Sequence, residues 1–309
     1  VLRVSRTVDN VLPMFIQVLP YITIIAVVMI CFAIILARWQ TSRLIRPINE
    51  LDLNEPLKNE IHEEFKPLLE RIDKQNKEKD AAAQMRKEFS ANVSHELKTP
   101  LTSISGYAEI MKSGLVKPED MPKFSERIYD EACRLITLVE DIIKLSKLDE
   151  ERVEIEKEDV DLYELAMDVC SRLSLPAERK GVQIKVHGES VICHGVRPVL
   201  QEMIYNICAN GIKYNKDGGK LDVWVGNTLS GKKVIVRDSG IGIPKEDLDR
   251  IFERFYRVDK SHSKQSGGTG LGLSIVKHGA MLHQAEVHVE SELGKGTKME
   301  LIFKNDISV

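Results

Sequence analysis

The chain has 309 residues, 43% hydrophobic and 29% charged, enough to bury a sizeable core and to divide into more than one domain. A net charge of −3, with no basic patch carrying interleaved aromatics, gives no sign of a nucleic-acid partner. Cys31, Cys133, Cys170, Cys193 and Cys208 form no C-x-x-C pair, which suits a reduced, cytosolic setting for most of the chain.

Val18 to Ala37 run without a charge. A helix of that length spans about 30 Å, the thickness of a bilayer's hydrocarbon core. Trp39 stands where an interfacial aromatic would, among Arg38, Arg43 and Arg46. Arg3 and Arg6 are offset by Asp9, so the positive-inside rule mildly favours a cytosolic carboxyl side. A core helix of a soluble protein is the plainer alternative. The chain starts at Val1 and only ten residues precede the expected helix at 11–37. We therefore expect residues 1–10 to be the end of an extracytoplasmic segment whose sensing part lies upstream. Residues 11–37 are then a transmembrane helix in contact with membrane lipid.

The stretch RLIRPINELD, within residues 38–60, resembles the start of a HAMP linker, in abbreviated form. Ile61, Phe65, Leu68, Ile72, Gln75, Lys79, Ala82, Arg86, Phe89 and Val93 then alternate in steps of four and three. That is a coiled-coil seam over 61–88, leading into the next helix. Gln75, Lys79 and Arg86 are poor seam residues, so the coil is marginal and responsive to small biases. A plain solvated helix would show the same polar positions.

In FSANVSHELKTPL, residues 89–101, apolar Phe89, Val93, Leu97, Leu101 and Ile104 mark one buried helical stripe. His95 falls off that stripe and should face solvent, with Glu96 beside it and Thr99 one turn on. Pro100 removes a backbone donor and leaves the Glu96 carbonyl without its usual partner, so a bend is expected. A lone exposed histidine is usually an ordinary surface residue. SHELKTPL, however, resembles the phospho-acceptor box of the sensor histidine kinases of two-component systems. That resemblance implies phosphorylation of a nitrogen of His95, with Glu96 as general base. Glu96 and Thr99 also match the E-x-x-T pattern linked with phosphatase activity, in which Thr99 would orient water.

SGLVKPEDMP reads as a turn, with Gly114, Pro118 and Pro122 as breakers. A second amphipathic helix from about Lys123 to Asp149 presents Phe124, Ile128, Leu135, Val139, Ile142 and Leu145 on one face. One hairpin buries too little, so residues 89–150 are expected to pair with a second copy as a four-helix bundle and homodimer.

From about Glu151 the pattern changes. Short runs VEIE, VQIKV, KLDVWV, KKVIVRD, AEVHVE and KMELIF alternate with helical stretches, the pattern of an α+β sandwich over 151–309. Glu202, Asn206, Asn210 and Lys213 share one helix face. Amide oxygens can hold a hard cation and a lysine can meet phosphate, which suits Mg-nucleotide. A polar surface face would look similar. Asp238 ends a strand and is followed by Gly240 and Gly242, where a carboxylate can accept from an exocyclic amine and backbone can approach a ring. IFERFYRVDK and the polar SHSKQSGG read as a lid, and Gly268, Gly270 and Gly272 open a helix whose N–H groups can receive phosphate.

Together these stretches resemble the N, G1, F and G2 boxes of the GHKL ATPase fold, and the histidine-kinase resemblance covers about residues 38–309. It implies Mg²⁺ at Asn206, phosphates at Asn210 and Lys213, Tyr214 near the base, and the adenine amine at Asp238. Backbone at Gly240, Gly242, Gly268, Gly270, Leu271 and Gly272 would line the ATP site, and Arg254 or Arg257 would meet the terminal phosphate. Gly211 stands where Ala is common in the family, and His262 where the lid often has Arg. The function implied is a membrane histidine kinase with its kinase portion cytoplasmic, passing phosphate to an aspartate on a response-regulator receiver domain. The alternatives are a phosphatase-dominant sensor without net kinase output, and a GHKL ATPase that phosphorylates nothing.

Overall fold

The computed structural model of the chain describes residues 11–44, 66–149, 156–258 and 268–304. It separates into two compact units, residues 1–88 and 89–309.

In the first unit, α1 (Val11–Leu44) carries the charge-free run of residues 18–37. Its stretch Ile16–Ser42 is long and apolar enough to cross a membrane, and every side chain on it is exposed. Residues 1–10, nearly all of the HAMP-like stretch after Leu44, and the seam positions Ile61 and Phe65 lie outside the described residues. Helix α2 (Lys66–Lys112) begins in this unit and ends in the next. Leu69 is buried there, whereas Leu68, the expected seam residue, is about half exposed.

In the second unit α2 continues without interruption through Pro100. Three hydroxyls around that proline turn back onto carbonyls four residues earlier: Thr99 onto His95 (3.1 Å), Thr102 onto Lys98 (2.8 Å) and Ser103 onto Thr99 (3.2 Å). Such bonds compete with the helical ladder, and Pro100 takes one donor from it, so this turn is locally weakened.

Helix α3 (Met121–Asp149) starts earlier than the sequence suggested. Pro122 was read as a breaker, but it sits in the first turn, where a helix has no use for the missing N–H. Gly114, with φ +71°, ends α2 and lets the chain reverse. Near the turn Tyr107 and Phe124 meet edge to face at 5.7 Å, and Arg127 donates to the Tyr107 hydroxyl at 3.1 Å.

The remainder is a two-layer α/β sandwich. Strands β1 (Glu158–Asp161) and β3 (Ile192–Gly195) pair antiparallel. Strands β2 (Gln183–Gly188), β4 (Lys220–Thr228), β5 (Gly231–Asp238), β6 (Glu286–Glu292) and β7 (Gly296–Phe303) form one sheet in the order β2-β4-β5-β7-β6. In this sheet β2 pairs parallel with β4, and the β4-β5, β5-β7 and β7-β6 pairs are antiparallel. Helices α4 (Leu162–Arg172), α5 (Ser174–Arg179), α6 (Arg197–Lys213) and α7 (Gly272–Leu282) are the other layer. The run VEIE falls mostly outside the described residues, and the first strand there is EDVD.

Alternation along β5 and β7 explains the layering. Val234, Val236, Met299, Leu301 and Phe303 turn inward onto Leu165, Leu200, Met203 and Ile204. Each such burial stabilises the fold by about 1.5–3 kcal/mol. The opposite face carries a charge ladder, with Lys233 and Lys298 on Glu300 at 3.1 and 2.6 Å, and Lys298 on Glu290 at 3.2 Å. Asp161 caps α4, its carboxylate accepting from the N–H groups of Tyr163 and Glu164. None of the five cysteines is in a disulfide, and Cys170 and Cys208 are buried in the core between α4 and α6.

Candidate nucleotide and phospho-acceptor site

Helix α6 gathers the first group. Its buried face (Leu200, Met203, Ile204, Ile207) fixes its rotation, which presents Glu202, Asn206, Asn210 and Lys213 along the opposite side. Asn206 Nδ2 donates to the Glu202 carbonyl at 2.9 Å and to Glu202 Oε1 at 3.2 Å. With its NH₂ group engaged inside the helix, the amide presents Oδ1, the atom a hard cation would need. Among the described residues no three His, Cys, Asp or Glu side chains converge.

The glycine loop seats directly on this helix. A Cβ on Gly272 would lie 2.6 Å from Asn206 Oδ1, and one on Gly268 would lie 2.4 Å from Lys213 Nζ. Gly270 has φ +74° and faces Phe255 backbone closely. Gly272 opens α7, so the first N–H groups of α7 point into the same space. The Leu271 side chain is elsewhere: fully buried, it packs on Leu138 and Leu145 of α3.

Asp238 closes the other end. Its Oδ1 accepts from Gly240 N at 2.8 Å and Thr297 N at 3.2 Å. Burial raises its pKa, and those two hydrogen bonds pull it back only in part. The following turn is held by the Tyr214 carbonyl, which accepts from Ile241 N at 3.1 Å. At Gly240 a Cβ would lie 2.3 Å from that carbonyl; Gly242 has φ +71° and sits against the Glu292 carbonyl. Gly211 has a local reason too: a Cβ there would lie 2.5 Å from Leu221 Cδ1.

Lys213 is pushed down to about 8, by burial first and then by the positive charges of Arg257, Arg134 and Lys180. A half-buried group of cations is a place for an anion such as phosphate. Burial also raises the Tyr214 phenol, with Arg257 opposing. The two lid arginines have different surroundings. Arg254 Nη2 donates to His278 Nε2 at 2.8 Å, and its guanidinium lies over the Phe89 ring at 5.1 Å. Arg257, lowered by burial, carries electrostatic influence from Tyr214, Arg134 and Glu96. His262 lies outside the described residues.

On the hairpin, the His95 side chain is 80% exposed, and its Nδ1 lies 3.9 Å from Glu96 Oε1. Glu96 Oε2 is 3.8 Å from Arg134 Nη2 of α3. Thr99 Oγ1 donates to the His95 carbonyl. Arg134 was not singled out from the sequence. It is an ordinary-looking residue on an amphipathic helix, and only the turn of the hairpin brings it to Glu96. Asp141 and Lys144 were missed for the same reason. Thr269 Oγ1 donates to Asp141 Oδ2 at 2.7 Å, and Lys144 Nζ reaches Glu202 Oε1 at 2.9 Å.

Residues 85–151 match the family described as the His Kinase A (phospho-acceptor) domain, and residues 195–307 the histidine kinase-, DNA gyrase B- and HSP90-like ATPases. Over 217 residues, 69% of this chain, it is 37% identical to the sensor protein kinase WalK of Staphylococcus saprophyticus, covering 36% of that protein. Against a WalK sequence of Staphylococcus aureus the identity is 36%, covering 52% of it. The chain thus spans roughly a third to a half of the length of these relatives. Among solved structures it resembles histidine kinase ThkA in complex with response regulator protein TrrA (TM-score 0.60, 24% identity, 81% of this chain and 69% of that one). It also resembles the Acinetobacter baumannii histidine kinase AdeS (TM-score 0.56, 22% identity, 69% of this chain and 98% of that one). At those identities the two structures speak for the fold alone.

Proposed function

We propose, on the premise that this chain belongs to the sensor histidine kinases of two-component systems, that it phosphorylates its own His95 from ATP. The observation that carries this reading is the position of an exposed His95 beside Glu96 in the same compact unit as the α6 face and the glycine loop. Asn206 Oδ1 would hold Mg²⁺, which when bound neutralises phosphate charge. Asn210 and Lys213 would hold phosphates, with Tyr214 beside the base and Asp238 accepting from the adenine amine. Arg257, which shares its surroundings with Lys213 and Tyr214, is assigned to the terminal phosphate in preference to Arg254.

Nδ1 is the His95 nitrogen nearest Glu96, so Nε2 is left as the nucleophile. Its lone pair forms the N–P bond as the P–O bond to ADP breaks, and Glu96 takes up the charge developing on the ring through Nδ1–H. That contact must shorten from 3.9 Å to a hydrogen bond of about 3 Å. Arg134 holds the far oxygen of Glu96 and orients it. The phosphoryl group then passes to an aspartate of a response-regulator receiver domain.

Leu101, Ile136, Val139 and Ile143 are exposed apolar residues on the hairpin, and we assign them to a homodimeric four-helix bundle. We place α1 in the cell membrane, with the rest on the cytoplasmic side, because its exposed apolar surface is what lipid covers. A second activity, dephosphorylation of the regulator, is favoured by the Thr99 hydroxyl one turn from His95.

The test is incubation of the full chain with γ-labelled ATP. An acid-labile, base-stable protein phosphate is expected, and it should vanish in His95→Gln while nucleotide binding persists. Retention of that phosphate in His95→Gln would remove His95 as acceptor.

A further inference from the structure

Cys170 on α4 and Cys208 on α6 have no part in holding nucleotide, yet the core brings them together. The buried stripe of α4 is Leu162, Leu165, Ala166, Val169 and Cys170, and that of α6 includes Leu200, Met203, Ile204, Ile207 and Cys208. Both follow the helical spacing i, i+3, i+4, i+7, i+8, so each helix turns one thiol into the same cluster. There the Cys208 S–H donates to the Cys170 sulfur.

One of the two thiols is reachable from outside. Strand β2 is an edge of the sheet, and the short α5 covers it incompletely, leaving Ile184 and Val186 half-buried. A cleft of about 410 Å³ lies between this strand, α4 and α5, and its walls include Met167, Cys170, Ser174, Glu178 and Ile184. Cys170 retains 5% of its surface there, whereas Cys208 behind it is fully buried. Among the described residues that line the cleft, the one charge is the Glu178 carboxylate. Such walls suit a small neutral molecule and repel an anionic one such as glutathione disulfide.

The two sulfurs are also unequal in chemistry. The hydrogen bond from Cys208 holds the Cys170 thiol below its ordinary range, although burial opposes this. The same bond, together with burial, raises Cys208. Thiolate character therefore falls on the sulfur that faces the cleft, with a protonated resolving thiol behind it.

We infer that Cys170 and Cys208 are a peroxide-reactive pair, which closes into a disulfide between α4 and α6 and weakens nucleotide binding at α6. The effect on binding rests on the nucleotide reading above; the reactivity of the pair does not. The Cys170 sulfur attacks hydrogen peroxide, forming an S–O bond as the O–O bond breaks. Its thiol proton leaves with the departing hydroxide as water, and Cys170 becomes a sulfenic acid. The Cys208 sulfur then attacks Cys170, forming the S–S bond as the S–O bond breaks, and its proton leaves in a second water. Two thiols are oxidised by two electrons in all, and one peroxide is reduced. In a reducing compartment such a bond is transient, which suits a signal.

In the disulfide the sulfurs must close to about 2.0 Å, and a close-packed interior transmits that displacement to α6. Cys208 stands two residues from Asn206 and two from Asn210, about 3 Å along the axis from each. Movement of Cys208 therefore moves the face assigned to Mg²⁺ and phosphate.

The experiment uses the full chain, reduced and then freed of reductant. After hydrogen peroxide, peptide mapping without reduction should find Cys170 linked to Cys208. Cys208→Ser keeps a donor but cannot form the bridge, and dimedone should then label Cys170 as its sulfenic acid. Affinity for a non-hydrolysable ATP analogue with Mg²⁺, measured by calorimetry, should fall about five- to tenfold on oxidation and recover with dithiothreitol. Cys170→Ser should bind equally before and after peroxide. Oxidation confined to Cys31, Cys133 or Cys193, with no bridge, would overturn the pair. A bridge that leaves affinity unchanged would overturn its effect on binding. Reduced protein that binds no analogue would fail the nucleotide reading itself, and the linked peptide would still decide the reactivity of the pair.

Discussion

Lys144 on α3 lies 2.9 Å from Glu202 Oε1 on α6, and the same oxygen accepts from Asn206 Nδ2 at 3.2 Å. A hairpin cation thus shares a carboxylate with the amide assigned to the metal. Burial works against the Lys144 charge, but the hydrogen bond to Glu202 and the nearby carboxylates outweigh it and raise its pKa. Lys144→Gln should release Glu202 towards the cation. We expect Mg²⁺-dependent nucleotide binding to tighten by about three- to tenfold, the equivalent of ~1 kcal/mol for a partly exposed pair. Calorimetric titration of both proteins at fixed Mg²⁺ checks this, and unchanged or weaker binding would separate Lys144 from the metal position.

Lys213 makes nucleotide binding a proton-linked event. Its folded pKa of about 8 lies below its ordinary value of 10.5. The unfolded chain therefore holds more protons between those pH values, and stability rises with pH across that window and is lost as pH falls through 8. Phosphate restores the charge. At pH 8 nucleotide binding should take up as much as about half a proton per site. Calorimetry in two buffers of different ionisation enthalpy measures this, and Lys213→Arg, charged throughout, should abolish the buffer dependence. Equal heats for the wild type in both buffers would refute the linkage.

Thr99 offers a way to separate two activities. Its hydroxyl proton is directed at the His95 carbonyl, while its lone pairs can still accept from a water. Thr99→Ala should keep autophosphorylation within about threefold and slow dephosphorylation of the phospho-regulator more than about tenfold. Both rates are read on one dimeric protein. Equal losses would mean that Thr99 only supports the weakened turn at Pro100.

His283 sets an acid limit on the ATP-binding domain. Val196 N–H donates to its Nε2 at 2.9 Å, and its Nδ1–H faces the Gly279 carbonyl at 2.7 Å, so the ring is neutral. Burial lowers its pKa below 6.5. The stability this contributes is complete above the unfolded value and is lost as pH falls through the lower folded one. Thermal unfolding should show a loss below about pH 6 that His283→Phe flattens. The variant itself should cost about 1–3 kcal/mol at neutral pH, because the buried Val196 N–H loses its acceptor. An unchanged acid slope in His283→Phe would show that other groups control it.

The two domains were legible in the sequence because their signals are local. The exposure of His95 follows from helical period, and the α6 face from four polar residues at matching spacing. The sandwich followed from short β-type runs, although Ile192–Gly195 is too short and too polar to be read as a strand. What stayed hidden depends on docking. Asp141, Lys144 and Arg134 sit on a helix more than fifty residues before most of their partners, with no local pattern distinguishing them from solvated charges. Pro122 misled because a proline stops a helix at one position and starts it at another. Asn215 is similar: buried, it donates to the Gly211 and Lys220 carbonyls, work that composition does not reveal.

The bond between Thr269 and Asp141 has a thermodynamic corollary. One side chain belongs to the loop that encloses nucleotide and the other to the hairpin, so loop position and docking are two coordinates of a single equilibrium. Binding free energies around such a cycle are reciprocal. If docking makes nucleotide bind tenfold more tightly, nucleotide must favour docking tenfold. A regulator that approaches His95 best when the domain has swung away is then, by the same necessity, an antagonist of nucleotide binding, without touching the nucleotide site at all.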